Sequence, residues 1–366
     1  MMLFKRDLWS VLGLPFDAVD LTHSLELVEQ SIDQSTSCFL STPNLNFAMA
    51  AQSDTAFFDS VVDSDLSVAD GMPLIWVAKL LGVPIRERVA GSTLFDELSR
   101  RPRETKIRVF FFGGQQGVAE CAHQKLNESS VGMLSCGFYD PGFVPIEQMG
   151  DATVLENINA AKPDFIVVAL GAKKGQAWIQ KNREHLNAPV ISHLGAVINF
   201  VAGSVVRAPV RWQRFGLEWV WRIKQERSLW KRYFFDGLSF IRLLLMRVFP
   251  LSIYDRLLKS RSYFNAVSNI EWADSKKGVV RLSGSFHYQK FKPAKEFLSS
   301  ILDTDRASLI LDFSKVVYID SAFIATLLLF QNELKKRDRC LVLINLSKRM
   351  KILMLLNNVN NRFNIR

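Results

Sequence analysis

The sequence has few of the residues on which disulfide, metal and nucleophile sites depend. Its 366 residues contain four cysteines, which form no CxxC pair and show no disulfide spacing. This favours a protein of the reducing cytosol. The five histidines are scattered, with no HExxH motif and no Cys/His cluster, and neither GxSxG nor a GxGxxG dinucleotide motif is found. We therefore expect no metal and no cofactor.

Long apolar runs are also missing. No stretch of 18 uncharged apolar residues occurs, so no transmembrane helix is predicted. The N-terminus has Lys5, Arg6 and Asp7 but no apolar segment ahead of a small-residue cleavage site, so no signal peptide is predicted either. A hydrophobic content of 48% with 22% charged residues is typical of a globular protein.

Acidic residues are scarce in one segment. The net charge is +10, and between Arg207 and Arg261 there are 13 Lys/Arg against 4 Asp/Glu, together with four of the eight tryptophans. Such a concentration of positive charge indicates an anionic partner, either a membrane surface or nucleic acid. Because the cations alternate with tryptophan and leucine at helical spacing, we expect an interfacial membrane helix and no nucleic acid.

The hydrophobic pattern predicts an α/β protein. Buried strands that end in glycine or polar residues alternate with amphipathic helices, which favours a Rossmann-like, mostly parallel sheet. We predict a core domain over residues 1–206 and a basic helical appendage over 207–262. From 263 to 366 the pattern restarts as a compact second α/β unit.

Polar residues follow two of the predicted strands. Thr42 and Asn44 follow the strand that includes Phe39, and Asp70 follows the strand around Val68. Because a strand–helix–strand unit brings both strand ends to one edge of a parallel sheet, these three polar side chains should converge. The competing interpretation is that Pro-Asn and Asp-Gly are only turns.

Further candidates lie in loops after other strands. Arg88, in the loop ERVAGS, could hold a phosphate with its two-pronged guanidinium. Gly113, Gly114 and Gly171 lie where strands lead into helices, an arrangement in which backbone N–H groups meet a phosphate. With Asp70 as a base, these groups could serve the displacement of a diphosphate from a sugar.

One acidic pair has the form of a metal-binding DxD motif. Asp63-Ser64-Asp65 precedes a strand, so it should lie at the opposite edge of the sheet from Asp70. We interpret it as a solvated turn.

Six motifs in order resemble the WecG/TagA/CpsF glycosyltransferase family, over about residues 10–235: TPNLNFAMAA, SVADGMPLIW, ERVAGS, FFFGGQQGVAE, VVALGA and RAPVRWQRFGLEWVWRIKQE. The resemblance implies transfer of a sugar, with inversion and without metal, from a UDP-sugar to a polyprenyl-diphosphate-linked acceptor at the cytoplasmic membrane face. It makes Asp70 the general base and Thr42, Asn44 and Arg88 site residues. It also implies that the appendage docks on the membrane and completes the site, with arginines as candidates: Arg207, Arg211, Arg214, Arg222, Arg227 and Arg232.

The sequence departs from the family pattern at two places. The family commonly has GxPKQExW where this chain has GAKKGQAW, so that Gly175 stands at the family's glutamine and Gln176, our candidate substrate contact, one place later. The EPxR stretch is altered to Glu226-Arg227-Ser228 and is one residue shorter. The appendage arginines are therefore not matched one for one.

The last hundred residues resemble a STAS domain, through the segment SLILDFSKVVYIDSAFIATLL. The family commonly has DSSG with a phosphorylated second serine, whereas this chain has Ala322 there. We therefore expect a STAS domain that binds or scaffolds a protein partner without that phosphorylation; the alternative is that Ser321 is phosphorylated instead. We predict a transferase of bacterial cell-surface or exopolysaccharide synthesis, peripheral on the inner membrane face. The alternative is a protein that senses a nucleotide sugar and signals through the STAS domain.

Overall fold

The computed structural model of the chain describes residues 6–209, 211–212, 216–227, 229–259, 263–304 and 306–366. They form two compact units, and each is built from separated segments. The six-stranded unit comprises Val19–Ile75 and Ile85–Asp236, and the five-stranded unit comprises the chain up to Ala18, Trp76–Pro84 and Gly237–Arg366. The domain boundaries predicted after residues 206 and 262 stay a prediction.

The strands are, in chain order, β1 (Leu8–Val11), β2 (Leu14–Asp17), β3 (Cys38–Ser41), β4 (Leu66–Ser67), β5 (Ile107–Gly113), β6 (Met133–Tyr139), β7 (Phe165–Ala169), β8 (Val190–His193), β9 (Asn269–Asp274), β10 (Val279–Phe286), β11 (Ser308–Ile319), β12 (Cys340–Ile344) and β13 (Asn364–Ile365).

The α-helices of the six-stranded unit, with one helix (α4) that runs into the other unit, are α1 (Leu21–Asp33), α2 (Leu45–Ser53), α3 (Thr55–Val62), α4 (Met72–Leu81), α5 (Gly91–Arg100), α6 (Val118–Ser129), α7 (Ala152–Ala160), α8 (Ala172–Asn182), α9 (Gly195–Val201) and α10 (Glu218–Gln225). The remaining helices are α11 (Leu229–Leu243), a π-helical turn (Leu244–Val248), α12 (Phe249–Lys259), α13 (Lys292–Leu302), α14 (Ser321–Lys336) and α15 (Lys348–Leu356). Short 3₁₀ turns cover Gln148–Gly150 and Arg183–His185.

The six-stranded sheet is parallel throughout and has the order β4-β3-β8-β7-β5-β6. Side chains of β5 alternate between two cores. Val109 and Phe111 lie in one core with α1, α5, α6 and α9, and Phe110 and Phe112 lie in the other with α7 and α8. Strands covered on both faces are characteristic of doubly wound α/β folds. The predicted fold class is confirmed.

The helix after β2 is capped by Asp20, whose carboxylate accepts the N–H of His23. One local prediction in this unit is wrong. The crossover between β3 and β4 is two helices instead of one. The chain breaks at Asp54, whose side chain caps α3 by accepting the N–H of Phe57. A side-chain oxygen competes well for the free N–H groups of a helix start, so each aspartate begins a new helix.

The DxD segment is not a fully solvated turn. The Asp63 carboxylate pairs with Arg183 at 2.6 Å and its side chain is only 8% exposed. Asp65 accepts the N–H of Phe39, the second residue of β3, at 2.8 Å. Asp65 itself is exposed and Ser64 is buried. The acidic pair therefore stabilises the amino-terminal edge of the sheet, away from the strand ends that carry the candidate site.

The five-stranded unit has a mixed sheet of order β13-β12-β11-β10-β9, in which only β9 is antiparallel to its neighbour. Its central helix α14 is buried over nearly its whole length. The antiparallel hairpin β1–β2 from the N-terminal end of the chain packs against this helix. The ring centroids of Trp9, in the hairpin, and Tyr288 lie 5.2 Å apart. The architecture agrees with the predicted STAS-like domain.

The residues that carry the STAS resemblance lie at the start of α14. The Asp320 carboxylate accepts the N–H groups of Phe323 and Tyr288, each at 2.8 Å, and burial raises its pKa to about 6. Ala322 is fully buried, whereas Ser321 is partly exposed and lines a cavity of about 140 Å³. Phosphorylation at Ser321 stays a prediction.

A continuous helix from Leu229 to Lys259 is long and apolar enough to cross a membrane, judged by length and composition, and 22% of its apolar window is buried. The sequence criterion had predicted no transmembrane helix. The difference arises because Arg242 and Arg247 interrupt the apolar run without lowering its mean hydropathy below that of a candidate span.

Candidate active site

The strand ends that carry polar residues meet at the carboxyl edge of the six-stranded sheet. The N–H of Asp70 donates to the carbonyl of Pro43 at 2.9 Å, and the N–H of Val89 donates to the carbonyl of Ala69 at 3.0 Å. Three segments of chain are thus joined side by side. Ligands of open α/β sheets bind at this edge.

Thr42 and Asn44 lie beside Asp70, as the strand–helix–strand argument predicts. Asn44 caps α2 by accepting the N–H of Phe47 at 3.2 Å, and a Cβ atom on Gly71 would lie 3.7 Å from the Asn44 Cβ. Thr42 is buried, and its Cγ2 would lie 3.2 Å from a Cβ atom on Gly91. Because Gly91 has no side chain, Thr42 can approach the start of α5 closely.

The Asp70 carboxylate lies at the start of α5 and is 28% exposed. Burial raises the pKa of Asp70 to about 6, and the nearby negative charge of Glu218 adds to the rise, whereas the positive charge of Arg88 lowers the pKa. The Gly91 N–H and the charge of Arg222 lower the pKa. The net result is a carboxylate that is ionised at neutral pH and still basic enough to accept a proton, which is what general base catalysis requires.

Arg88 is held by two carboxylates. Its Nη1 and Nη2 atoms bond the two carboxylate oxygens of Glu218 at 2.8 and 3.0 Å, and its Nε lies 3.9 Å from Asp70 Oδ1. Burial alone would lower the pKa of Arg88, but the bonds to Glu218 and the charge of Asp70 raise it above its usual value. The guanidinium is therefore a permanent, partly buried positive charge beside Asp70.

The three predicted glycines all have positive φ angles, of +91° at Gly113, +105° at Gly114 and +81° at Gly171. A Cβ atom on Gly113 would lie 2.7 Å from Leu170 Cδ2, so this glycine is needed for close packing of two neighbouring strand ends. No described atom lies within 4 Å of a Cβ atom on Gly171. Of the three, Gly171 presents the most open turn at the start of a helix.

Gln176 is buried in α8, where its Nε2 donates to Ser41 Oγ at 3.1 Å. Its Oε1 has no hydrogen-bond partner among the described residues. Gln176 therefore contacts Ser41, the residue before Thr42, and is almost completely buried, so its role as a substrate contact stays a prediction.

The position before it, Gly175, faces His193. A Cβ atom on Gly175 would lie 2.2 Å from His193 Cδ2, so the imidazole ring fills the space in which a side chain at 175 would begin. His193 ends β8, is buried, and burial lowers its pKa to about 4, which keeps it neutral at physiological pH. Sequence reasoning missed this residue; glycine at the family's glutamine position was the available signal.

The six appendage arginines differ in their surroundings. Arg222 lies in α10, and its positive charge lowers the pKa of Asp70. Arg207 instead pairs with Asp96 at 3.2 Å and Thr93 at 2.8 Å on α5, so it anchors the appendage. The other predicted arginines are exposed (Arg211, Arg227 and Arg232) or lie outside the described residues (Arg214).

Glu218 was not predicted as a site residue, although it stands in the quoted motif RAPVRWQRFGLEWVWRIKQE. Its spacing placed it among arginines on the polar stripe of a helix, which is typical of a solvated residue. Among the described residues, no group of three or more His, Cys, Asp or Glu side chains could hold a metal ion. Metal independence stays a prediction.

Comparisons with known proteins agree with this picture. The chain is similar to N-acetylglucosaminyldiphosphoundecaprenol N-acetyl-beta-D-mannosaminyltransferases of several bacteria. The identities are 30% over 220 residues for Bacillus spizizenii, 28% over 221 residues for Bacillus subtilis and 26% over 224 residues for Staphylococcus aureus. The matches cover 60–61% of this chain and 84–85% of each relative.

Two family models match successive parts of the chain. Residues 271–365 match the description "Mlab, STAS domain". Residues 9–252, more than half of the chain, match the description "Glycosyl transferase WecG/TagA/CpsF family". The chain therefore belongs to the WecG/TagA/CpsF glycosyltransferase family and carries a STAS domain after it.

Proposed function

We propose that the protein transfers a sugar, with inversion and without a metal ion, from a UDP-sugar to a polyprenyl-diphosphate-linked acceptor. The observation that carries this proposal is the Asp70 carboxylate, whose pKa is raised to about 6 beside the buried Arg88. The names of the relatives support a polyprenyl-diphosphate-linked acceptor. The UDP-sugar donor and the inversion rest on the family resemblance.

In the proposed reaction the ionised Asp70 accepts the proton of the acceptor hydroxyl. The hydroxyl oxygen then forms a bond to the anomeric carbon from the face opposite the diphosphate. The bond between that carbon and the diphosphate oxygen breaks, and the electron pair leaves with UDP. A single displacement of this kind inverts the anomeric configuration.

The departing diphosphate needs positive charge, because negative charge develops on its oxygen. Arg88 and Arg222 are two arginines whose positive charges lower the pKa of Asp70. The open turn at Gly171 adds backbone N–H groups at the start of α8. Thr42 and Asn44 would order the acceptor and the sugar around Asp70.

A panel of UDP-sugars, incubated with a polyprenyl-diphosphate-linked N-acetylglucosamine acceptor, tests the proposal. We expect a disaccharide product by mass spectrometry with inverted anomeric configuration by NMR, unaffected by EDTA. Asp70→Asn should lower the rate about 1,000-fold. Full activity of that variant, or a strict requirement for Mn²⁺, would refute the mechanism. Donor binding without any product would favour the nucleotide-sugar sensor instead.

We also propose that the chain attaches to the membrane through the helix Leu229–Lys259. Large apolar side chains along it are exposed, with Phe234 at 59% and Phe235 at 62%, close to Lys231 and Arg232. Apolar side chains flanked by cations are typical of interfacial helices. The polyprenyl chain of the acceptor would lie in the same membrane.

Flotation with vesicles that contain anionic lipid tests the attachment. Replacing Phe234 and Phe235 together by serine should weaken binding about 10-fold or more, because both rings leave the lipid interface. Phe143→Ser is the matched control, since Phe143 is fully exposed on a different segment. Equal loss in both variants, or salt-sensitive binding to DNA but not to vesicles, would contradict this assignment.

A further inference from the structure

Glu218 is the first residue of α10, and its carboxylate pairs with the Nη1 and Nη2 atoms of Arg88. Both carboxylate oxygens are engaged, by Nη1 at 2.8 Å and by Nη2 at 3.0 Å. Arg88 is 12% exposed and Glu218 is 33% exposed, so water screens the pair only in part. A paired fork of this kind fixes the plane of the guanidinium as well as its distance.

Helix α10 is itself anchored to the body of the unit. Trp221 Nε1 donates to the carbonyl of Val206 at 3.0 Å, and Gln225 both donates to and accepts from the backbone of Val206. The next residue, Arg207, is tied to Asp96 on α5. These bonds hold the start of α10, and with it Glu218, in a defined place.

We propose that Glu218 is a positioning residue for the transfer: it fixes Arg88 so that the Nε edge of the guanidinium faces Asp70 and the cleft. This inference rests on the function proposed above. With Nη1 and Nη2 bound to Glu218, the Nε–H and one Nη–H along the adjacent edge stay directed away from Glu218. The Nε atom lies 3.9 Å from Asp70 Oδ1, so this edge faces the proposed base.

Glu218 also influences the charge around the base. The groups that face Asp70 are Arg88 and the Gly91 N–H from the loop and start of α5, and Glu218 and Arg222 from α10. Glu218 raises the pKa of Asp70, whereas the two arginines and the N–H lower it. Removing the charge of Glu218 leaves the arginines less compensated, so Asp70 becomes a weaker base and a diphosphate is attracted more strongly.

A purely structural salt bridge predicts a different pattern. If Glu218 only held α10 in place, its loss would lower stability, donor affinity and turnover together and would leave the pH profile where it was. Positioning separates these quantities, because turnover falls while donor binding is kept or improved. The midpoint of the acid limb of kcat/KM also moves, because it reports the ionisation of the free enzyme.

The experiment compares Glu218→Gln, which keeps the shape but loses the charge, with Glu218→Asp, which keeps the charge on a shorter side chain. Glu128→Gln, at an exposed position of α6, is the matched control. For each full-length variant we would measure kcat and KM for the UDP-sugar over pH 5 to 8, UDP binding by calorimetry, and the thermal midpoint.

For Glu218→Gln we expect kcat to fall roughly 10-fold, with UDP affinity unchanged or increased. The acid midpoint should move to lower pH by about half a unit or more. Glu218→Asp should keep the wild-type midpoint with a reduced kcat. An unshifted midpoint in Glu218→Gln, or parallel losses of kcat and UDP affinity, would overturn the inference.

Three further outcomes are decisive. If Glu218→Gln does not fold, Glu218→Asp decides alone: a wild-type midpoint with lowered kcat supports positioning, and a wild-type kcat overturns it. If the wild type forms no product from any UDP-sugar, the proposed function fails as a whole. If Asp70→Asn is inactive and Glu218→Gln behaves as wild type, only the inference about Glu218 fails.

Discussion

Replacing Asp70 by asparagine should make the protein more stable at neutral pH while it abolishes transfer. The pKa of Asp70 is 3.8 in an unperturbed chain and about 6 in the folded protein. Between those values the folded state binds the proton more tightly than the unfolded state, so the stability of the wild type falls as the pH rises through this range. A difference of about two units corresponds to about 3 kcal/mol in the free energy of unfolding at pH 7.

Asparagine stays neutral over this range and can still accept the Gly91 N–H, so the variant avoids the cost of ionising a partly buried carboxylate. Urea unfolding of Asp70→Asn and wild type at several pH values measures the effect. We expect the variant to be more stable by up to about 3 kcal/mol at pH 7.5, and the advantage to vanish near pH 4. An advantage that does not depend on pH, or a less stable variant at pH 7.5, would refute the reasoning.

Three other changes test neighbouring parts of the structure. Arg88→Lys should lower kcat about 10- to 100-fold in the transfer assay with little change in the thermal midpoint, because lysine keeps the charge but loses the paired fork; wild-type turnover would show that the fork is not used. Gly175→Ala should lower the free energy of unfolding by about 1–3 kcal/mol in urea, because its Cβ would meet the ring of His193; Gly237→Ala, with no described atom within 4 Å of its Cβ, is the control and should be neutral or slightly stabilising. Phe235→Ser alone should weaken flotation with anionic vesicles without changing turnover of a short-chain acceptor. Equal losses of turnover on the short-chain acceptor and on the polyprenyl-linked acceptor would contradict a membrane role.

The convergence of Thr42, Asn44 and Asp70 could be predicted because it depends on chain topology alone. Two parallel strands joined by helices must end at the same edge of the sheet, whatever the packing around them. The break at Asp54 did not matter for this argument, because one crossover helix and two deliver the next strand to the same place. Arg88 could be named as a phosphate-binding candidate from its loop and from the family resemblance, but its contacts with Asp70 and Glu218 could not be predicted, since no sequence pattern fixes where a loop arginine points.

Glu218 and His193 could not be predicted, because each owes its position to contacts between distant parts of the chain. Glu218 meets Arg88 across 130 residues of sequence, and the helical stripe to which it belongs is equally compatible with solvent. His193 is enclosed because Gly175 leaves space for its ring. The glycine at position 175 is explained only by the neighbouring strand β8, which ends at His193.

The division of the chain into units has a consequence for the order in which the protein can form during synthesis. The hairpin β1–β2, with Leu8, Val11 and Phe16 buried, is made long before α14, the helix on which it packs. The six-stranded unit is complete once Asp236 has emerged. The six-stranded unit can therefore fold before α14 has been translated. During that time the apolar side chains of the hairpin stay uncovered. A messenger that stopped before Ser321 would leave that hairpin permanently uncovered, and the truncated product would be a substrate for chaperones and proteases instead of a smaller enzyme.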